Sequence, residues 1–69
     1  MSQSERILQH LEERGPITAA EALDLFGCSR LAARVSDLRR AGYPIRAELV
    51  RGHNRYGEQV TFARYLMEG

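Results

Sequence analysis

Apolar residues recur every three or four positions along the first forty residues, and every second position after Pro44. That change of period divides the chain into a helical part and a strand part. In "SQSERILQHLEERG", Ile7, Leu8 and Leu11 fall on one stripe of a 3.6-residue repeat. Ser2 and Glu5 have capping-box spacing, in which each side chain satisfies a backbone N–H of the other. Gly15 suits the left-handed end of a helix and Pro16 forbids continuation, so the first helix is predicted to end near Arg14. "PIT" is extended by its local chemistry; it is too short for a free strand but fits the edge of a hairpin.

A second helix is predicted from Thr18, with Glu21 as its box partner. Ala19, Ala22, Leu23 and Phe26 supply its narrow apolar face, and Gly27 stops it. At about two turns it needs packing to persist. Ser29 is the expected cap of a third helix from Arg30 to about Ala41, with Leu31, Val35 and Leu38 as its buried stripe. Gly42 is its expected C′ residue. Beyond Pro44, "IRAELVR" is read with Ile45, Ala47 and Leu49 inward against Arg46, Glu48, Val50 and Arg51 outward, a half-buried antiparallel strand. A polar tip of about six residues, Gly52 to Gly57, joins it to "EQVTFARYL". There Val60 and Phe62 share one side, Thr61 and Ala63 the other, and Ala63 to Met67 is compatible with a closing helical turn.

Sixty-nine residues fit one domain, 1–69, with a small core and no room for a deep substrate cavity. An enzyme is therefore not expected, and no catalytic set stands out. Cys28, His10 and His53 lack metal-ligand spacing, so neither metal nor cofactor is expected. There is no apolar run of ~18 residues, and "MSQSER" is not a signal peptide. The lone Cys28 has no internal partner, which fits a reduced, cytosolic protein without membrane attachment or a small-molecule substrate.

Net charge is only +1, but its distribution is uneven. Residues 1–28 carry five acids against two arginines, and residues 29–66 carry eight arginines against three acids. Local charges of −3 and +5 suggest a polyanionic partner for the basic half.

Helix, short extended piece, helix, tight turn, helix, hairpin is the order of a winged helix-turn-helix. In such a pair of helices joined by a short Gly-containing turn, the second enters the major groove. The expected fold class is α+β, mainly α: three helices plus a two-stranded β-hairpin wing, the helix-turn-helix at 18–42 and the wing at 45–66. From Ile7 to about Val50 the chain resembles the small winged helix-turn-helix family common in phages and prophages. Its members read close to "I-x-x-x-L…I-T-x-x-E-A-L…F-G-C…R-L-A-A-R-I-x-D-L-R…G-Y-x-I". Ile17 to Ile45 is the specific part, and the wing is not distinctive. The resemblance implies a DNA-binding fold with the third helix as the reading element.

The candidate DNA-binding residues follow from that placement. On the face opposite the apolar stripe lie Ser29, Arg30, Ala33, Ser36, Asp37 and Arg40, with Arg34 and Arg39 on its flanks. Arg presents a planar fork of donors to a guanine edge or phosphate. Arg30 and Ser29 sit where a helix start meets a phosphate, and Ala33 is small enough to contact a thymine methyl. Without a ligand, Asp37 would pair with Arg34 or Arg40, and Arg39 and Arg40 would stabilise the helix dipole. In the tip, Arg51, Asn54 and Arg55 are the candidate phosphate contacts, with His53 and Tyr56 beside them. The expected partner is double-stranded DNA, bound by a transcriptional regulator or recombination accessory factor. A homodimer is allowed, because one short helix reads few base pairs. The alternative is a protein-binding winged helix docked on an acidic protein surface.

Overall fold

A computed structural model describes residues 1–68; Gly69, the last residue of the expected domain, lies outside the described residues. The elements follow as α1 (Gln3–Glu13), β1 (Ile17–Thr18), α2 (Ala19–Phe26), α3 (Leu31–Arg40), β2 (Ile45–His53) and β3 (Gln59–Met67). Both capping boxes form. The hydroxyls of Ser2 and Thr18 accept from the Glu5 and Glu21 N–H groups at 3.1 and 3.2 Å. Each glutamate carboxylate in turn accepts from the cap residue's own N–H at 3.0 Å. The Ser2 backbone N–H, with the Ser2 side chain, holds the Glu5 carboxyl below its ordinary pKa.

The third helix begins one residue later than expected. Its N-cap is Arg30, at φ −130 and ψ 60, with no side-chain cap hydrogen bond. Ser29 therefore lies outside the cap position, where its hydroxyl does not serve the first turn. At the other end Gly42, at φ 102, lets the chain turn back on itself. The Gly42 N–H donates to the Arg39 carbonyl and the Tyr43 N–H to the Leu38 carbonyl, which closes the helix as a Schellman turn.

The core is Ile7 and Leu11 from α1, Ile17 from β1, Ala22 from α2, Cys28 from the turn, Leu31, Val35 and Leu38 from α3, and Ile45 from β2. Leu8, Phe26, Tyr65 and Met67 pack against its margin. The expected face of α2 narrows to Ala22 and Phe26, while Ala19 and Leu23 are exposed. Ala22 and Phe26 sit one turn apart, and Leu23 is roughly 80° round the helix from them. A small residue at the contact brings α2 close, so little else of it is covered.

The sheet has three strands, in the order β1-β3-β2, all antiparallel, instead of the two expected. "PIT" does dock on the hairpin: Ile17 pairs with Tyr65 and Thr18 with Arg64, on the β3 edge away from β2. Paired to β2 throughout, and at Arg64 and Tyr65 to β1 as well, Ala63–Met67 stays extended, and no closing helical turn forms. The hairpin ladder runs from Ile45–Met67 to His53–Gln59, so the tip is Asn54 to Glu58, one residue shorter than expected.

Ile45, Ala47 and Leu49 share a face as the alternation requires, and Arg51, expected on the opposite face, falls on this one because the strand runs unbroken through it. Only Ile45 is buried, and Leu49 is 79% exposed. Nine residues of strand rise about 30 Å, and the core side chains reach only the base of the hairpin. On the opposite face Val50, Val60 and Phe62 cover one another in part. The Phe62 ring lies across Gly52, where an added Cβ would meet it at 3.1 Å.

One side chain ties α3 to the hairpin. Arg39 Nε donates to the Ile45 carbonyl at 2.9 Å, and its guanidinium carbon sits 6.0 Å from the centre of the Tyr65 ring.

Ile17→Ala is expected to destabilise the fold by about 2–5 kcal/mol in urea denaturation, whereas Leu49→Ala should change it by no more than about 0.5 kcal/mol. Arg39→Ala should cost about 1–2 kcal/mol in the same assay, and Arg40→Ala close to nothing. Because the folded-state pKa of Glu5 is depressed, its contribution is present above the unfolded value and disappears as pH falls through the folded one. Hydrogen exchange at the first turn of α1 should therefore accelerate on acidification through the carboxylate range.

Candidate nucleic-acid interface

The arginines of the basic half fall into two groups once their partners are known. Glu48 and Arg64 are directly opposed across β2 and β3 and ion-paired, with Arg64 Nε donating at 2.8 Å. Arg46 joins them, 4.0 Å from Glu48 and 3.6 Å from Glu68. Asp37 lies between Arg34, at 3.5 Å, and Arg40, at 3.8 Å, so it makes both of the pairs its spacing permits. The Arg34 Nε is buried without a hydrogen-bond partner. Arg39 is committed to Ile45 and Tyr65.

Arg30, Arg51 and Arg55 are left exposed and without an ion pair among the described residues. Arg30 stands at the start of α3, whose first N–H groups have no side-chain acceptor at the cap. Ser29 and Ser36 are exposed near it and along the helix. Ala33 is half-buried, not at the centre of the exposed face, and Ala32 is the alanine open to solvent. Arg40 keeps an 80% exposed side chain despite its contact with Asp37, and an exposed pair at that distance is weak.

Arg51 stands in β2 opposite Thr61, just short of the hairpin tip, and Arg55 lies in the tip itself. Asn54 organises that tip with its whole side chain: Oδ1 accepts from the Tyr56 and Glu58 N–H groups at 2.9 and 3.1 Å, and Nδ2 donates to Glu58 Oε1 at 3.0 Å. Backbone bonds from Asn54 N–H to the Glu58 carbonyl and from Gly57 N–H to the Asn54 carbonyl complete the turn. The loop thus holds Arg55 and Tyr56 outward, Tyr56 78% exposed, with His53 exposed just before them. The sequence points to Asn54 as a turn former as readily as a donor; the cross-strand arginine–glutamate network becomes visible only once the register is known.

Among the described residues no three His, Cys, Asp or Glu side chains come together as a metal site, and no helix is long and apolar enough to cross a membrane. Cys28 is buried, a small apolar filler of the turn between α2 and α3. No curated protein and no solved structure matches the chain. A family model described as a winged helix-turn-helix domain matches residues 2–69. Three helices with a short turn between the second and third, and a hairpin projecting from a three-stranded sheet, are the parts such a domain requires. The chain belongs to the winged helix-turn-helix domain family, typically a non-enzymatic DNA-binding fold.

Proposed function

We propose that the protein binds double-stranded DNA, with α3 in the major groove and the hairpin as a wing on the backbone. The observation that carries this reading is the sorting of the arginines. Two of the three acids of the basic half, Asp37 and Glu48, are occupied by Arg34, Arg40, Arg46 and Arg64, and the third, Glu58, accepts only from the Asn54 side chain. Arg30, Arg51 and Arg55 keep their charge free at the two places where a winged helix meets a duplex. Arg30 is positioned for a base edge or phosphate beside the open N–H groups of α3. Arg40, Ser36 and Ser29 extend that face, and Ala33 lies low beside it. Arg34 is engaged by Asp37 and Arg39 by the Ile45 carbonyl, and Asn54 acts by shaping the loop that carries Arg55.

A role in regulating transcription or assisting recombination, in the cytoplasm and in a phage or prophage setting, is the reading that the resemblance of Ile17 to Ile45 supports. Net charge of +1 makes binding rest on a few local contacts and not on a general basic field.

Titration with a mixed-sequence duplex at several salt concentrations tests the proposal. Arg30→Ala and Arg55→Ala should each weaken binding and lower the slope of log K against log salt by about 0.9. Arg14→Ala, which removes the same charge from the end of α1, should leave that slope unchanged. Equal effects at all three positions, or no binding at low salt, would exclude α3 and the wing as the contact surface and favour an acidic protein partner.

A further inference from the structure

Arg6, Gln9 and Glu13 form one exposed stripe on α1, at i, i+3 and i+7. Leu25, 56% exposed, and the half-buried Phe26 of α2 lie alongside it, and with His10 and Arg14 they line a shallow cleft between the two helices. No residue of α3 or the hairpin lines that cleft. Its floor is held in place: the Phe26 ring meets the His10 ring edge-on, 6.0 Å between centres, and His10 Nε2 lies 3.2 Å from the Pro16 carbonyl.

The two charges of the stripe have no ion pair among the described residues, and neither has Arg14 beside them. All ion pairs among the described residues lie in α3 and the hairpin with its flanking Glu68, and Glu13 receives only a 3.5 Å contact from Gln9. Arg6 and Glu13 are separated by about 10 Å along the helix and do not meet. They are, however, of opposite sign and at opposite ends of one face. A second α1 laid antiparallel, about a two-fold axis between residues 9 and 10, brings Arg6 opposite the partner's Glu13 and Glu13 opposite the partner's Arg6. Both pairs are identical, as a two-fold contact requires. The same axis places Arg14 opposite the partner's Glu5. Gln9 at the axis is neutral, and Leu25 adds apolar surface from each copy. We infer that the α1 stripe with Leu25 is a self-complementary surface for a second copy of this chain.

The contact is small, so self-association is weak, at the low end of interface sizes. It leaves α3 and the wing open. Two copies on one duplex would gain from each other's proximity, but the surface itself is independent of the DNA reading.

Sedimentation velocity of the full chain without DNA, up to millimolar protein, tests the inference. The wild-type protein should show a concentration-dependent monomer–dimer equilibrium. Arg6→Glu and Glu13→Arg each turn two attractive pairs into two repulsive ones and should weaken the dimer by about tenfold or more. An equimolar mixture of these two variants should associate again, because each copy then supplies what the other lacks. Leu25→Ser should weaken the dimer without altering the monomer's melting temperature. A monomer at every concentration, or a mixture that associates no better than the single variants, would overturn the inference. Neither outcome bears on DNA binding, which is measured separately.

Discussion

The two residues Ile17 and Thr18 carry the contact on which the rest of the structure depends. Ile17 has no solvent exposure and sits in the core among side chains from all three helices. Its backbone pairs with β3 opposite Tyr65, and the Thr18 side chain caps α2. One dipeptide therefore joins core, sheet and helix pair. Without it the hairpin would meet the helices only through the base of β2 and the margin of β3, and α2 is too short to hold its own first turn.

The size of the core sets what lies beyond it. Buried residues run from Ile7 to Ile45, and none comes from the distal hairpin. A 69-residue chain has little apolar side chain to spare, so the outer hairpin is held by its own ladder, by Phe62 lying over Gly52 and by the Glu48–Arg64 pair. Such a projection can present side chains to a large partner while the helices remain where they are. Its base is fixed to the end of α3 by Arg39, so the helix and the hairpin keep one relative orientation.

Helix positions and caps were legible in the sequence because each rests on local chemistry: the boxes at Ser2–Glu5 and Thr18–Glu21, the stripe Leu31–Val35–Leu38, the glycine at 42. What escaped depends on distant neighbours. Alternation in "IRAELVR" correctly puts Ile45, Ala47 and Leu49 on one face, but it carries no information on whether another layer covers that face. That "PIT" fits a hairpin edge is legible from its extended chemistry; which edge it takes, opposite Tyr65 and Arg64 of β3, depends on the fold. Ser29 has the residue type of a cap, but Arg30 takes the N-cap position with no side-chain hydrogen bond, so residue type alone does not fix the start of α3. For the candidate interface, residue type and helical face located the arginines; their partners, which separate Arg30 and Arg55 from Arg39 and Arg34, required the fold.

That separation explains how a chain of net charge +1 can still be polarised. Arginine here serves two purposes with one chemistry. Its fork of donors and its flat cation make Arg39 a clamp between a carbonyl and an aromatic ring, and make Arg64 a cross-strand partner for a carboxylate. An arginine paired with a carboxylate, such as Arg64, is cancelled in the external field together with its partner, whereas Arg39, bound to neutral groups, keeps its charge but gives up its fork of donors. On the side of α3 and the hairpin, the field that remains arises from Arg30, Arg39 and the tip, where Arg51 and Arg55 stand against Glu58, over distances comparable with the Debye length of about 8 Å at physiological salt. Such a surface attracts a polyanion only at close range, so geometry decides more of its binding than net charge does. A rigid tip shaped by Asn54 and a clamped helix end are therefore as much a part of the interface as the charges they present.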